Sequence, residues 1–401
     1  MNPLDTVTIV GAGAAGVSLA SSMRRRGYQG RITLIGDETV EPYDRPPLSK
    51  GFLMAKQSVD DLRLFGWSEL DALGVDVRAG EVAQSLDTAT RTVTLDSSEE
   101  VTGDAVVIAT GVKARTLPQY DHLGACVSLR TMEDARRLRE RLQKASRAVI
   151  VGAGFIGLEA VGAALSLRCE VTIVEPQPAA LSGKLPLAVS EWLSEEHRAR
   201  GVRFHFGAGV DDISRDGDDR YRVLLTTGET LDADVVLVGI GTVPNTDWLE
   251  TSDLVLQNGV QCDEFSRATD GIYAIGDVSS PLHPALGRYL RVEHRSNANE
   301  QAMALADTLT GEPKAHSPLP FFWTDQFEYK LQMFGVAAPD AQFRIVSGAI
   351  GDRSFIGVYE RADRVEAVLA CNALAKEIMT YRRELNQLYS VPTSLAAAVA
   401  S

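Results

Sequence analysis

Cysteine is scarce: four occur in 401 residues, at positions 126, 169, 262 and 371, too few and too scattered for a disulfide framework. None sits in a C-x-x-C pair, which argues against a zinc knuckle or a redox-active dithiol and fits a reducing cytoplasm. Positive charge is also short. Against 54 Asp and Glu stand 40 Lys and Arg, a formal net charge of −14, so nucleic acid is a poor partner. Apolar runs stay below the roughly 18–20 residues that cross a bilayer, because glycine and charged residues interrupt them, and no membrane association is expected. The opening segment, with Asp5 and no basic stretch, does not read as a cleaved leader. What is left is an ordinary globular composition, 45% hydrophobic and 23% charged, with length for two or three domains.

What the chain does have is a repeat. Residues 6–38 and 147–176 each read as a β-branched strand, a glycine turn, a helix of small residues, a second strand and an acid. In the first copy Val7, Ile9 and Val10 lead into Gly11-Ala12-Gly13-Ala14-Ala15-Gly16, a helix to about Arg26, and a strand from Ile32 to Ile35 that delivers Asp37 and Glu38. In the second, Ala148 to Val151 lead into Gly152-Ala153-Gly154-Phe155-Ile156-Gly157, a helix to about Leu167, and a strand from Val171 to Val174 before Glu175. Such a turn brings backbone N–H groups and the positive end of a helix against a pyrophosphate, and the acid can bind ribose hydroxyls. Two dinucleotide sites follow. Glu175 would accept from a 2′-hydroxyl and repel a 2′-phosphate, and no Lys or Arg follows it until Lys184, so NADH is expected over NADPH.

Two further strand-like runs, 105–108 ahead of Gly111 and 235–238 ahead of Gly241, each follow a polar meander and would close a nucleotide domain. The second unit is then inserted into the first. Residues 1–111 and 241–318 form a discontinuous domain, 112–240 the inserted one, and 319–401 an α+β domain with a helix near 373–389. Leu395 to Ser401 reads as a frayed tail.

Two dinucleotides in one chain suggest a hydride donor beside a held flavin that can split an electron pair. VGAGAAG, GDE, PYDRPPLSK (Pro42 to Lys50), Ala109-Thr110-Gly111, GAGFIGLE, GIGTVPN, YAIGD (Tyr273 to Asp277) and FWTDQ (Phe322 to Gln326) together resemble the FAD- and NADH-dependent ferredoxin reductases of bacterial oxygenase systems, across nearly the whole chain. The resemblance implies an α/β fold like that of glutathione reductase: two Rossmann-like dinucleotide-binding domains plus a C-terminal α+β interface domain. It implies FAD on Gly11, Gly13, Ala14, Ala15, Gly16 and Asp37, with Arg45 at the pyrophosphate, Val82 and Arg130 toward the adenine end, and Gly276 and Asp277 at the ribityl chain. It implies NADH on Gly152, Gly154, Phe155, Ile156, Gly157, Glu175 and Gly241. Lys50 would stand beside the reactive flavin nitrogen, and Glu159, on the first turn of the second helix, would touch the nicotinamide carboxamide; these two are the catalytic candidates. Trp323 would lie at the flavin on the electron exit side. Read alone, Arg45 is equally a solvated loop cation, Asp277 a helix cap and Trp323 a core aromatic.

Between residues 14 and 60 there is no cysteine, so the disulfide and peroxide chemistry of thiol-bearing flavoproteins is not expected. Electrons must leave to an external acceptor, which the resemblance makes an acidic two-iron ferredoxin. Residues 319–401 carry almost none of the net negative charge, and Lys330, Arg382 and Arg383, with Arg291 and Arg295, are candidate contacts. Arg295 departs from the family pattern, in which tryptophan is common there, and would tune the flavin potential or the partner face. No metal site is expected, and the assembly is a monomer or homodimer. An NADH oxidase or quinone reductase, and an NADH-sensing flavoprotein resembling apoptosis-inducing factor, are the alternatives.

Overall fold

The computed structural model describes residues 4–217, 220–311 and 313–390, so the tail from Leu395 to Ser401 lies outside the described residues. A six-stranded sheet runs in the order Arg267–Thr269, Ile272–Ala274, Ala105–Ile108, Thr6–Val10, Arg31–Gly36, Val75–Ala79. Thr6–Val10 pairs in parallel with both Arg31–Gly36 and Ala105–Ile108. A parallel sheet is covered on both faces, which is why its strands are unbroken apolar runs. Helices Ala14–Arg25 and Arg295–Leu309 cover one face through Val17, Leu19 and Leu305, and the meander of 83–102 covers the other through Leu86, Val93 and Leu95. This sheet thus takes strands from two separated stretches of chain.

The stretch between them builds a second parallel sheet, ordered Arg203–Phe206, Glu170–Glu175, Arg147–Val151, Val235–Val238, Cys126–Val127. Helix Phe155–Ser166 follows its glycine turn. Where the chain passes between the sheets, Val112–Ala114 and Thr242–Pro244 pair antiparallel. Beside them the Asn245 amide donates to the Thr110 carbonyl and the Thr110 hydroxyl to the Asn245 carbonyl, both at 2.9 Å. Helix Met132–Lys144 was not anticipated from periodicity, yet Thr131 and Asp134 spell its capping box.

The C-terminal unit is a five-stranded antiparallel sheet, Phe321–Gln326, Tyr329–Gly335, Arg364–Cys371, Ser354–Arg361, Gln342–Ala349, backed by helix Ala375–Leu388 through Ile378 and Leu385. Its first strand lies against the inserted unit, with the rings of Phe322 and Phe155 4.9 Å apart. Glu196 on helix Leu187–Arg198 anchors the same junction, accepting from the Tyr329 hydroxyl at 2.6 Å and pairing with Arg200 and Arg353 at 3.0 Å each. Among the described residues no helix is long and apolar enough to cross a membrane.

Candidate active site

Both glycine turns have the same strained geometry. Gly11 has φ +119°, and a Cβ there would meet the Ala109 carbonyl oxygen at 2.2 Å; a Cβ on Gly16 would lie 1.9 Å from the Gly11 oxygen. In the second copy Gly152 has φ +101°, and a Cβ on Gly157 would lie 2.3 Å from the Gly152 oxygen. Only glycine allows this fit of helix onto strand. Gly13 faces open space and precedes Ala14–Arg25 with no side-chain cap and no acid in the first turn; Gly154, with the Gly239 carbonyl beside it, precedes Phe155–Ser166, which likewise has no side-chain cap and no acid in its first turn. An uncapped, acid-free helix N-terminus presents free N–H groups to an anion.

Around the first turn the fold gathers residues far apart in sequence. Gly276 packs on the Ala15 Cβ, and Gly111, just past the contact with Gly11, packs on the Arg130 guanidinium. Arg130 pairs with Asp277 at 3.2 Å, and Arg45 donates to the Arg130 carbonyl at 2.8 Å and to Glu38 at 2.6 Å. Arg130 Nε is buried without a partner among the described residues. Burial pushes the Asp277 carboxyl up, with Arg130 pulling the other way, and the same burial pushes Arg130 down. Arg130, with an orphan N–H, thus lies beside the strand end that meets the first turn, and Arg45 is tied to it through the Arg130 carbonyl. These residues fit a pyrophosphate. Val82 lies farther along the same sheet end, since the N–H groups of Gly80 and Glu81 both donate to the Gly36 carbonyl at 2.7 and 3.1 Å.

The two acids are not in register. Gly11 donates to the Ile35 carbonyl and Gly152 to the Val174 carbonyl, so Glu175 corresponds to Gly36, and Asp37 stands one residue later, exposed. A side chain at 36 is excluded because its Cβ would lie 2.6 Å from that of Ala12. Glu175 instead accepts from the Ala153 N–H at 2.8 Å and the Gln177 N–H at 2.9 Å. Gly241 has φ +99°, and Ile156 and Ile240, 39% and 37% exposed, rim the second turn.

Glu159 is the fifth residue of its helix, on the second turn rather than the expected first, and its side chain is only 4% exposed. Lys50 Nζ lies 2.9 Å from Glu159 Oε1. The Ser49 hydroxyl donates to Oε2, and the Thr324 hydroxyl donates to Oε1 at 2.7 Å. One carboxylate of the inserted unit therefore takes partners from both of the other units. Sequence reasoning missed Ser49 and Thr324; their only signal was adjacency to Lys50 and Trp323. The half-buried Trp323 ring stacks on Phe321 at 5.8 Å, and Phe321 stacks on Phe334 at 4.6 Å.

Arg295 is not a free cation. Its guanidinium donates to Asp44 and, at 2.6 Å, to Asn299, fastening the loop that carries Arg45 to helix Arg295–Leu309. Arg291 is held by Glu293 at 2.6 Å and is 11% exposed. Both pairings remove these arginines from the candidate docking set, which keeps the exposed Lys330, Arg382 and Arg383. The four cysteines are free, and burial pushes every thiol up, that of Cys126 to about 11, so none is a thiolate at neutral pH.

Residues 5–302 match the pyridine nucleotide-disulphide oxidoreductase family and residues 321–400 the reductase C-terminal family. The ferredoxin–NAD(+) reductase component of the p-cumate 2,3-dioxygenase system of Pseudomonas putida is 34% identical over 398 residues, covering 98% of this chain and 96% of that one. Putidaredoxin reductase of the same organism is 33% identical over 394 residues, with 95% and 93% covered. The solved covalent putidaredoxin reductase–putidaredoxin complex matches with TM-score 0.90 at 30% identity, over 100% of both chains. By sequence and by fold, the chain belongs to the ferredoxin–NAD(+) reductases within the pyridine nucleotide-disulphide oxidoreductase family, which are FAD- and NADH-dependent flavoprotein oxidoreductases.

Proposed function

We propose that the chain takes hydride from NADH and delivers single electrons to a two-iron ferredoxin that serves an oxygenase. The observation that carries this reading is the Lys50–Glu159 pair at 2.9 Å, joining the first unit to the helix that follows the second glycine turn, in a protein whose four cysteines are free with their thiols pushed up by burial. Bound FAD supplies the electron chemistry, accepting a hydride and releasing electrons singly.

The residues of the chain bind and orient. Gly11, Gly13, Ala14, Ala15 and Gly16 hold the FAD pyrophosphate with Arg45, while Arg130 and Val82 border the adenine end and Asp277, after Gly276, accepts from the ribityl chain. The turn Gly152 to Gly157, with Gly241, holds NADH, and Glu175 receives its ribose hydroxyls. An incoming nicotinamide exchanges one partner of Glu159 for its carboxamide, and Lys50 keeps positive charge beside the reacting centre. Trp323 borders the exit, and Lys330, Arg382 and Arg383 face the acidic partner. Residues 1–111 with 241–318 form the FAD domain, 112–240 the NADH domain and 319–401 the docking domain. Dependence on NADH and free thiols supports a cytoplasmic location.

Anaerobic titration tests the reading: NADH should bleach the flavin absorbance, and an acidic two-iron ferredoxin should restore it, two ferredoxins being reduced per NADH. Protein that stays colourless after reconstitution with FAD, or reduced protein that no ferredoxin reoxidises, overturns it.

A further inference from the structure

Strand Phe321–Gln326 has two working faces. Side chains alternate along a strand, so Phe321 and Trp323 share one face, where they stack, and Phe322, Thr324 and Gln326 share the other. The second face meets helix Phe155–Ser166, through Phe322 on Phe155 and Thr324 on Glu159. Thr324 is fully buried, and its hydroxyl has one proton to give. An ionised Glu159 can only accept, so that proton goes to Oε1, and the Thr324 oxygen accepts from the Gln326 amide at 2.8 Å. This fixes the direction of the chain from Gln326 to Thr324 to Glu159. Gln326 Oε1 is buried with no hydrogen bond of good geometry among the described residues, and the buried His197 ring lies beside the same amide.

We propose that Thr324, supported by Gln326, is a positioning residue that holds the Glu159 carboxylate in place for the nicotinamide, so that the C-terminal unit helps set NADH binding as well as electron exit. The inference rests on the proposed function and deepens it. Lys50 and Ser49 hold Glu159 from the FAD side, and both belong to one short loop; Thr324 is the restraint from the opposite side. With two hydrogen bonds and an ion pair the carboxylate has one orientation. With Thr324 removed it can follow the loop, and its ionised form loses a donor.

Thr324→Val keeps shape and removes the hydroxyl. The expected result is a rise of about tenfold in the Kd of the oxidised holoenzyme for NAD+, read from the flavin spectrum, and a similar rise in KM for NADH with kcat changed about twofold or less. Thr324→Ser should restore both, and Gln326→Met should shift both in the same direction by less. Thermal melting with bound flavin shows that each variant is folded, and Gln326→Met carries the test if the valine variant is not. Unchanged Kd and KM in the valine variant, or a loss in kcat with KM unmoved, overturn the role of Thr324, as does a serine variant that behaves like valine. Wild-type protein that holds flavin and does not bind NAD+ overturns the proposed function itself.

Discussion

Beside the first turn Gly276 meets Ala15 and Gly111 meets Arg130, which pairs with Asp277 and accepts from Arg45 on its carbonyl; against Gly152 to Gly157 stand Gly239, Ile240 and the amide-bound Glu175, with Ile156 reaching solvent. The glycine geometry is the same in both places, so the turn alone does not decide how a dinucleotide is held. Loops from elsewhere decide it. A linked set of charged groups beside the first turn suits a cofactor that stays, and an apolar, exposed rim suits a coenzyme that comes and goes. The strongest way to break this comparison is to damage each turn in the same way. Gly16→Ala puts a Cβ 1.9 Å from the Gly11 oxygen and should yield protein with little bound flavin per polypeptide. Gly157→Ala puts one 2.3 Å from the Gly152 oxygen and should keep its flavin while reduction by NADH slows about 100-fold, as misplacement by an ångström does. Flavin loss in both variants would mean the units are not separate sites.

A smaller effect separates way in from way out. Glu159→Gln keeps an oxygen for Thr324 and removes the charge facing Lys50. Hydrogen bonds to charged groups are worth about 1.5–3 kcal/mol, so kcat/KM for NADH should fall about 10- to 100-fold. Ferredoxin reduction by chemically reduced enzyme, followed by stopped flow, should change far less. Equal losses in both half-reactions would place Glu159 in the exit path too.

Smaller again is the contrast between the acids. Glu175 sits at the register position where the first copy has Gly36, and its carboxylate already accepts two backbone N–H groups. Glu175→Ser should lower the preference for NADH over NADPH about tenfold, through one lost hydrogen bond and one removed repulsion. Steady-state kcat/KM for both coenzymes measures it. An unchanged ratio would move coenzyme choice to other residues.

Much of this was legible in the sequence because local rules wrote it. Both strand-turn-helix units follow from β-branched runs and from glycines that the close contacts require, and helix ends expected near Arg26 and Leu167 fall at Arg25 and Ser166. The one-residue shift between Asp37 and Glu175 was not legible, because it depends on Ala12 filling the space beside Gly36. Ser49 and Thr324 were not legible for a related reason. A hydroxyl gains a role only when tertiary contact brings it to a carboxylate, and 165 positions separate Thr324 from Glu159. Arg291 and Arg295 misled because sequence shows charge and not its partner; Glu293 and Asp44 had already taken theirs.

The smallest expected effect lies at the junction of the first unit with the C-terminal one, where the buried His316 and the half-buried His294 stay uncharged. His294 Nδ1 accepts from the Phe321 N–H at 3.2 Å, and burial pushes the ring down to about 4. His316 Nε2 lies 3.0 Å from Asn297 Oδ1, and burial pushes that ring down to about 3. Unfolded, each would titrate near its ordinary 6.5. As pH falls below that value the unfolded chain takes up protons that the folded one refuses. The stability these rings contribute is therefore complete above 6.5 and is lost progressively as pH drops toward 4 and then 3. His316→Gln keeps a donor for Asn297 and removes one titration. Urea midpoints at about pH 7.5 and about pH 5 should differ less in this variant than in the wild type. Equal differences would mean that the His316 ring accepts a proton without unfolding, and that the junction opens to water more readily than its packing implies.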